Sequence, residues 1–216
     1  MTKTEQIESC IEMAVKKESK LSPLALSIPM LGSLRIRHLL NNLGAISNSF
    51  LDVGSHVAGS YCSAVYKNDN LKYSAAVDSW ESDAITGRSC YQEFTDNVLL
   101  CKPLELELLV EKSDCFSVDL TQFKHPFDLY SYDAGHSRSD QKNALVYYKP
   151  ILADEFIYCC DDWLYEQVKG GTMEGIKEGG YEILHQRELI NETPGDGHLN
   201  DEWWRSYAVF LLKKKP

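Results

Sequence analysis

Phe50-Leu51-Asp52-Val53-Gly54-Ser55-His56-Val57-Ala58-Gly59-Ser60 holds a short apolar run with an acid near its end, closed by Gly54, then a glycine-bearing turn that leads into a helix over 61–66. A short apolar run without alternation reads as a strand buried on both faces, the kind found in parallel sheets. The same rhythm recurs downstream. Tyr73 to Val77 ends at Asp78, 106–110 runs toward Asp114, 127–132 ends at Asp133, and 156–160 ends at Asp161 and Asp162. Helical patterns over 85–100, 139–149 (stopped by Pro150) and 163–178 (stopped at Gly179-Gly180) separate these runs, and 181–190 and 207–212 read as two last strands. Strands alternating with helices predict an α/β fold, doubly wound around a mostly parallel seven-stranded sheet. Upstream, Ile7, Cys10, Ile11 and Ala14 recur at helical spacing over 4–19, Pro23 and Pro29 force a bend, and 34–43 forms a second helix closed by Gly44. The expected organisation is an N-terminal helical extension over 1–47 and the α/β domain over 48–216.

Lys and Arg number 22 against 32 Asp and Glu, a formal charge of −10, so the chain lacks the basic footprint of a nucleic-acid binder. The seven cysteines are scattered with no Cys-x-x-Cys pair, which predicts reduced thiols and a cytoplasmic protein. The N-terminus shows no signal-peptide core, and the apolar stretch Leu21 to Leu34 is too short and too rich in proline to span a membrane. Neither nucleic acid nor membrane is an expected partner.

Five successive strands that finish at or near an Asp place a row of carboxylates at one sheet edge, where open α/β sheets bind ligands. The turn after Asp52 has neither the G-x-G-x-x-G spacing nor a Walker sequence. Asp78, ending the next strand, can accept hydrogen bonds from both hydroxyls of a ribose. These segments resemble the class I S-adenosylmethionine-dependent methyltransferases, with Asp52, Gly54, Gly59 and Asp78 at the motif positions and Ala58-Gly59-Ser60 close to the branch that reads E-h-G-x-x-x-G-G-S. His56 stands where that loop often carries its central glycine, and Ala58 where a second one lies. The resemblance implies a Rossmann-like methyltransferase fold and S-adenosylmethionine as cofactor. It implies that Asp78, with Ser79 and Trp80, holds the ribose, that Asp114 with Cys115 faces the adenine, and that Asp52, Gly54, Ser55, Gly59, Ser60 and Asp133 complete the cofactor site.

A second constellation combines Asp133 and His136 after the fourth strand with Asp161 and Asp162 after the fifth. Neighbouring strand ends lie about 5 Å apart, so three carboxylates and an imidazole converge. Carboxylates this close repel one another unless a cation neutralises them, and oxygen donors select a hard ion such as Mg²⁺. The arrangement resembles the metal-dependent O-methyltransferases, above all the macrocin and mycinamicin sugar enzymes and the related cephalosporin-hydroxylase-like branch. That likeness implies Asp133, Asp161 and Asp162 as metal ligands and His136 as general base.

Methyl transfer from a sulfonium is an in-line displacement, so alignment matters most, while Mg²⁺ acidifies the acceptor hydroxyl and His136 takes its proton. The expected activity is Mg²⁺-dependent O-methylation of a small hydroxylated molecule, a sugar or sugar-bearing metabolite. The alternatives are a catalytically silent methyltransferase-fold binding protein and a metal-independent N-methyltransferase. Residues 4–43 would form a lid or substrate wall and a homodimer contact. His198, Trp203 and Trp204, in or beside the long loop before the last strand, read either as a ring-stacking wall or as packing. Cys159 and Cys160 read as core residues, and His38, His125 and His185 carry no motif.

Overall fold

Strand β1 (Ser49–Val53) is buried along its whole length and lies near the middle of one sheet. The computed structural model describes residues 1–81, 87, 89–191 and 202–215. Among these, β1 is joined by β2 (Tyr73–Asp78), β3 (Glu107–Lys112), β4 (Phe127–Tyr132), β5 (Leu152–Cys160), β6 (Tyr181–Leu189) and β7 (Tyr207–Lys214), in the spatial order β3-β2-β1-β4-β5-β7-β6. The first five strands run parallel, and β7 enters antiparallel between β5 and β6. The helices are α1 (Lys3–Val15), α2 (Pro23–Leu26), α3 (Leu34–Ala45), α4 (Gly59–Val65), α5 (Tyr91–Cys101), α6 (Arg138–Tyr147) and α7 (Glu166–Glu178).

Successive strand residues point to opposite faces, which gives the sheet two cores. Phe50, Leu129, Ile157 and Val209 face α1, α3, α4 and α5, whose Ile7, Leu39, Tyr61 and Phe94 join the same cluster. Leu51, Tyr130, Tyr158 and Phe210 face α6 and α7 through Leu145, Val168 and Ile176. The N-terminal helices therefore share their core with the sheet. Helix starts follow local chemistry: the side chains of Thr2, Ser33 and Ser137 cap α1, α3 and α6, with reciprocal Glu5 and Asp140 contacts in the first and last. All seven cysteines are free, and Cys159 and Cys160 are buried in β5. No helix among the described residues is long and apolar enough to cross a membrane.

The structure shifts some expected limits. Helix α5 begins at Tyr91 rather than 85, with 82–86 and 88 outside the described residues, and β5 starts four residues early because Leu152 pairs with Phe127.

One carboxylate ties the amino end of β1 to β4. Asp128 accepts from the backbone N–H groups of Asn48 (3.0 Å) and Ser49 (2.9 Å) and from the side chains of Asn48 (2.9 Å) and Ser49 (3.1 Å). Removing an acceptor that serves several donors at once should cost about 2 kcal/mol. Asp128→Ala should therefore melt roughly 4–8 °C below the wild type by circular dichroism, and a drop under about 1 °C would refute this role.

Candidate active site

The carboxyl ends of β1 and β4 touch at Gly54. Its φ is +89°, and a Cβ there would stand 1.9 Å from the carbonyl oxygen of Asp133, so only glycine fits. The Gly54 N–H donates to the Val77 carbonyl (2.9 Å) and the Asp133 N–H to the Val53 carbonyl (2.8 Å), closing the edge across β2, β1 and β4. Further along the loop, His56 and Ala58 adopt left-handed conformations with φ of 44° and 71°. Each costs about 1–2 kcal/mol of backbone strain, since a Cβ disfavours this region.

Asp78 is fixed from two sides. Its carboxylate accepts the backbone N–H of His56 (2.9 Å) and that of Trp80 (2.8 Å). The Trp80 indole N–H donates to the His56 carbonyl at 2.6 Å, and its ring packs on Phe94 with centroids 4.5 Å apart. The loop after β1 and the end of β2 therefore form one rigid unit.

A cavity of about 740 Å³ opens along this edge, within the size range of small-molecule sites. Gly54, Ser55, Gly59, Ser60, Asp78, Ser79, Trp80, Asp114, Cys115 and Asp133 line it, together with His136, Asp161 and Asp162. Asp114 also accepts the Phe116 N–H at 2.9 Å, which shapes the turn after β3. Asp52 is the correction. It sits inside β1, fully buried beneath the loop rather than on the cavity wall, and accepts the Ser60 hydroxyl at 2.9 Å. Burial pushes its carboxyl up to about 7 against the opposing Ser60 and Ser55 hydrogen bonds. Its place is under the loop after β1, as a support.

Strand β5 ends at Cys160, and Asp162 turns the chain with φ of 56°, so that the adjacent Asp161 and Asp162 both reach the cavity wall. This turn is fastened by Trp163 and Leu164, whose N–H groups donate to the carbonyls of Ser206 (3.0 Å) and Arg205 (2.8 Å). His136 Nε2 stands 3.3 Å from Asp133 Oδ1 and 3.5 Å from Asp162 Oδ2, and Arg205 Nη1 is 3.5 Å from the same Asp162 oxygen. The hydrogen bond to Asp133 raises the His136 pKa above its ordinary value, helped by both carboxylate charges and opposed by partial burial. Burial and the neighbouring Asp133 and Asp162 push Asp161 well above the usual carboxylate range. Asp162 is raised by burial, with His136 and Arg205 opposing.

The donor chemistry suits a hard cation, because Asp161 Oδ1 and Asp162 Oδ1 are buried oxygens without a hydrogen-bond partner. The expected triad of metal ligands is nevertheless not gathered: among the described residues, no group of three or more His, Cys, Asp or Glu stands in metal-holding geometry. The basic groups that face the carboxylates among the described residues are the His136 imidazole and the Arg205 guanidinium.

Sequence reasoning missed Arg205 and the stretch Pro29-Met30-Leu31, all on the cavity wall. An isolated arginine after two tryptophans carries no spacing signal, and 29–31 fall within the 4–43 stretch expected as a lid or substrate wall. Of the two tryptophans, Trp203 is buried with the Arg35 guanidinium 5.9 Å above its ring, whereas Trp204 lines the cavity. His198 lies outside the described residues.

The sequence matches no protein-family model and no curated protein. Solved structures do match. The O-methyltransferase TomG from Streptomyces achromogenes, in complex with SAM, superposes with a TM-score of 0.62 at 13% identity, over 99% of this chain and 100% of that one. Cofactor-bound Rv0187 from MTB gives 0.59 at 10% identity, over 98% and 91%. A chain from Streptococcus mutans assigned as a SAM-dependent methyltransferase gives 0.55 at 14% identity, over 83% of this chain and 48% of that one. The fold is the Rossmann-like methyltransferase fold. The chain spans about half the length of the Streptococcus mutans protein.

Two variants test this geometry. Gly54→Ala should push the ends of β1 and β4 apart and abolish ligand binding in the cavity; a variant that binds as the wild type does would refute the contact. Because the folded-state pKa of Asp52 is raised, its contribution to stability is greatest in acid and is lost as pH rises from about 4 to about 7. Asp52→Asn removes that titration, so its stability relative to wild type should improve by roughly 4 kcal/mol between pH 4 and pH 8 in urea unfolding. Parallel pH profiles would contradict the assignment.

Proposed function

We propose that the chain is an S-adenosylmethionine-dependent methyltransferase that methylates a hydroxyl group of a small molecule. The observation that carries this reading is Asp78, held by two backbone N–H groups on the wall of a cavity whose other side presents Asp133, His136, Asp161 and Asp162. Each oxygen of Asp78 keeps a lone pair for a ribose hydroxyl. Asp114 and Cys115 lie where the adenine would rest, and Gly54 to Ser60 offer backbone to the methionine portion.

The cofactor would supply an electrophilic methyl group, and a hard cation such as Mg²⁺, to which Asp161 and Asp162 offer buried, unpartnered oxygens beside Asp133, would acidify the acceptor hydroxyl. The chain's own residues do the rest. Neutral His136 would donate from Nε2 to Asp133 and accept the hydroxyl proton at its other ring nitrogen, and Asp133 would stabilise the resulting imidazolium. Trp204 gives the acceptor a flat apolar face, which suits the underside of a sugar ring. The buried, unpartnered oxygens of Asp161 and Asp162 favour the metal. A second reading, transfer without a metal, is favoured by Arg205, whose guanidinium already places positive charge beside Asp162. The free thiols fit a reducing compartment such as the cytoplasm.

Isothermal titration with S-adenosylmethionine, with and without Mg²⁺, is the test. Binding that Asp78→Ala weakens at least about tenfold is expected, since a lost hydrogen bond to a charged group is worth about 1.5–3 kcal/mol. His136→Ala should retain cofactor affinity but lower kcat by about 10²- to 10⁴-fold on a panel of hydroxylated acceptors. No cofactor binding at millimolar concentration would end the proposal. Turnover unaffected by a chelator would select the metal-free reading.

A further inference from the structure

Arg37 on α3 is buried, at 5% exposure, and lies outside the cavity wall. Its guanidinium donates to the backbone carbonyls of Ala25 (2.7 Å), Leu26 (3.1 Å) and Ile28 (2.8 Å), and its Nε to the Ser63 hydroxyl (3.2 Å). A buried cation satisfied only by neutral dipoles is expensive, and a hydrophobic side chain would fill the volume at lower cost. What the guanidinium provides is geometry: a rigid fork that reads three carbonyls at once.

The neighbouring polar residues of α3 grip the same segment. His38 Nδ1 pairs with the Ser19 hydroxyl (2.7 Å), Asn41 accepts the Lys20 N–H (2.9 Å), and Asn42 donates to the Glu18 carbonyl (3.0 Å). Residues 18–28 are thus held along their backbone, and the chain that leaves this clamp is Pro29-Met30-Leu31. That tripeptide lies against the start of α4, where a Cβ on Gly59 would meet the Pro29 carbonyl oxygen at 2.4 Å and the Met30 Cβ at 2.5 Å. Pro29, Met30 and Leu31 line the cavity beside the loop after β1. The grip also reaches the floor of that loop, because Ser63, bonded to Arg37, donates its own hydroxyl to the Gly59 carbonyl at 2.7 Å.

We propose that Arg37 is a positioning residue for the cofactor cavity. It sets segment 25–31 against the first turn of α4, and so fixes Met30 and Leu31 as the wall that closes over the methionine portion of the cofactor. This rests on the methyltransferase reading given above.

The experiment measures the dissociation constant of S-adenosylhomocysteine by titration at 15 °C, with melting temperatures in parallel, for the wild type, Arg37→Lys, Leu31→Ala and Asn70→Ala. A lysine keeps the charge but cannot fork to three carbonyls. Asn70, which donates to the carbonyls of Gly44 (2.8 Å) and Ser47 at the far end of α3, is the control for a purely structural loss. Arg37→Lys should weaken binding by about tenfold, in the range that small misplacements of a binding group produce. Leu31→Ala, at a half-exposed position, should weaken binding with its melting temperature unchanged, and Asn70→Ala should melt lower with its affinity kept. If the wild type binds and Arg37→Lys binds within twofold of it, or if Arg37→Lys and Asn70→Ala lose affinity alike, or if Leu31→Ala binds as the wild type does, the positioning role is overturned. If the wild type itself does not bind, the methyltransferase reading fails instead, and the inference with it.

Discussion

The contact between Gly54 and the backbone of Asp133 is the constraint on which the rest of the site depends. It lies where the sheet changes direction: β1 pairs with β2 on one side and with β4 on the other, and the helices that follow β1 and β4 leave toward opposite faces. A crevice opens at such a switch point because the two connections diverge. Here the strand ends approach until no side chain fits between them. The loop that would receive a cofactor and the acids that would serve the acceptor are consequently parts of one rigid edge, and neither can shift without the other.

The two sides of the cavity solve opposite electrostatic problems. On the β2 side a single carboxylate, Asp78, is oriented by backbone N–H groups and faces open space. On the β5 side three carboxylates are crowded, two of them buried, and desolvation, with the neighbouring negative charge added, raises the pKa values of Asp161 and Asp162. His136 and Arg205 offset part of this repulsion from different segments, one just before α6 and one just before β7. A site of this kind stores the demand for positive charge that a proton, a cation or a polarised acceptor can meet.

Much of this was legible in the sequence because the carboxyl halves of β1, β2, β4 and β5 are buried, and so appear as short, mostly apolar runs with an acid at or near their ends. The residues with a local signature, Gly54, Asp78, Asp133 and His136, all reach the cavity. Legibility failed where geometry depends on distant chain. Asp52 looked equivalent to the other strand-end acids, but it lies within β1, one residue short of the edge, and is sealed beneath Ser60. The antiparallel insertion of β7, the approach of Arg205 to Asp162, and the lie of Pro29 to Leu31 on Gly59 each join segments far apart in sequence. The left-handed backbone at Asp162, which lets two adjacent acids share a wall, leaves no mark in a residue that is not glycine.

The central claim is that Asp78 and the loop after β1 form a cofactor seat facing the Asp133–His136–Asp162 cluster. A crystal structure of the chain with S-adenosylhomocysteine tests it most directly. The account predicts both ribose hydroxyls within hydrogen-bond distance of the Asp78 carboxylate and the homocysteine sulfur on the side of the cavity nearer His136. A ligand bound with its ribose away from Asp78, or outside this cavity, would contradict it.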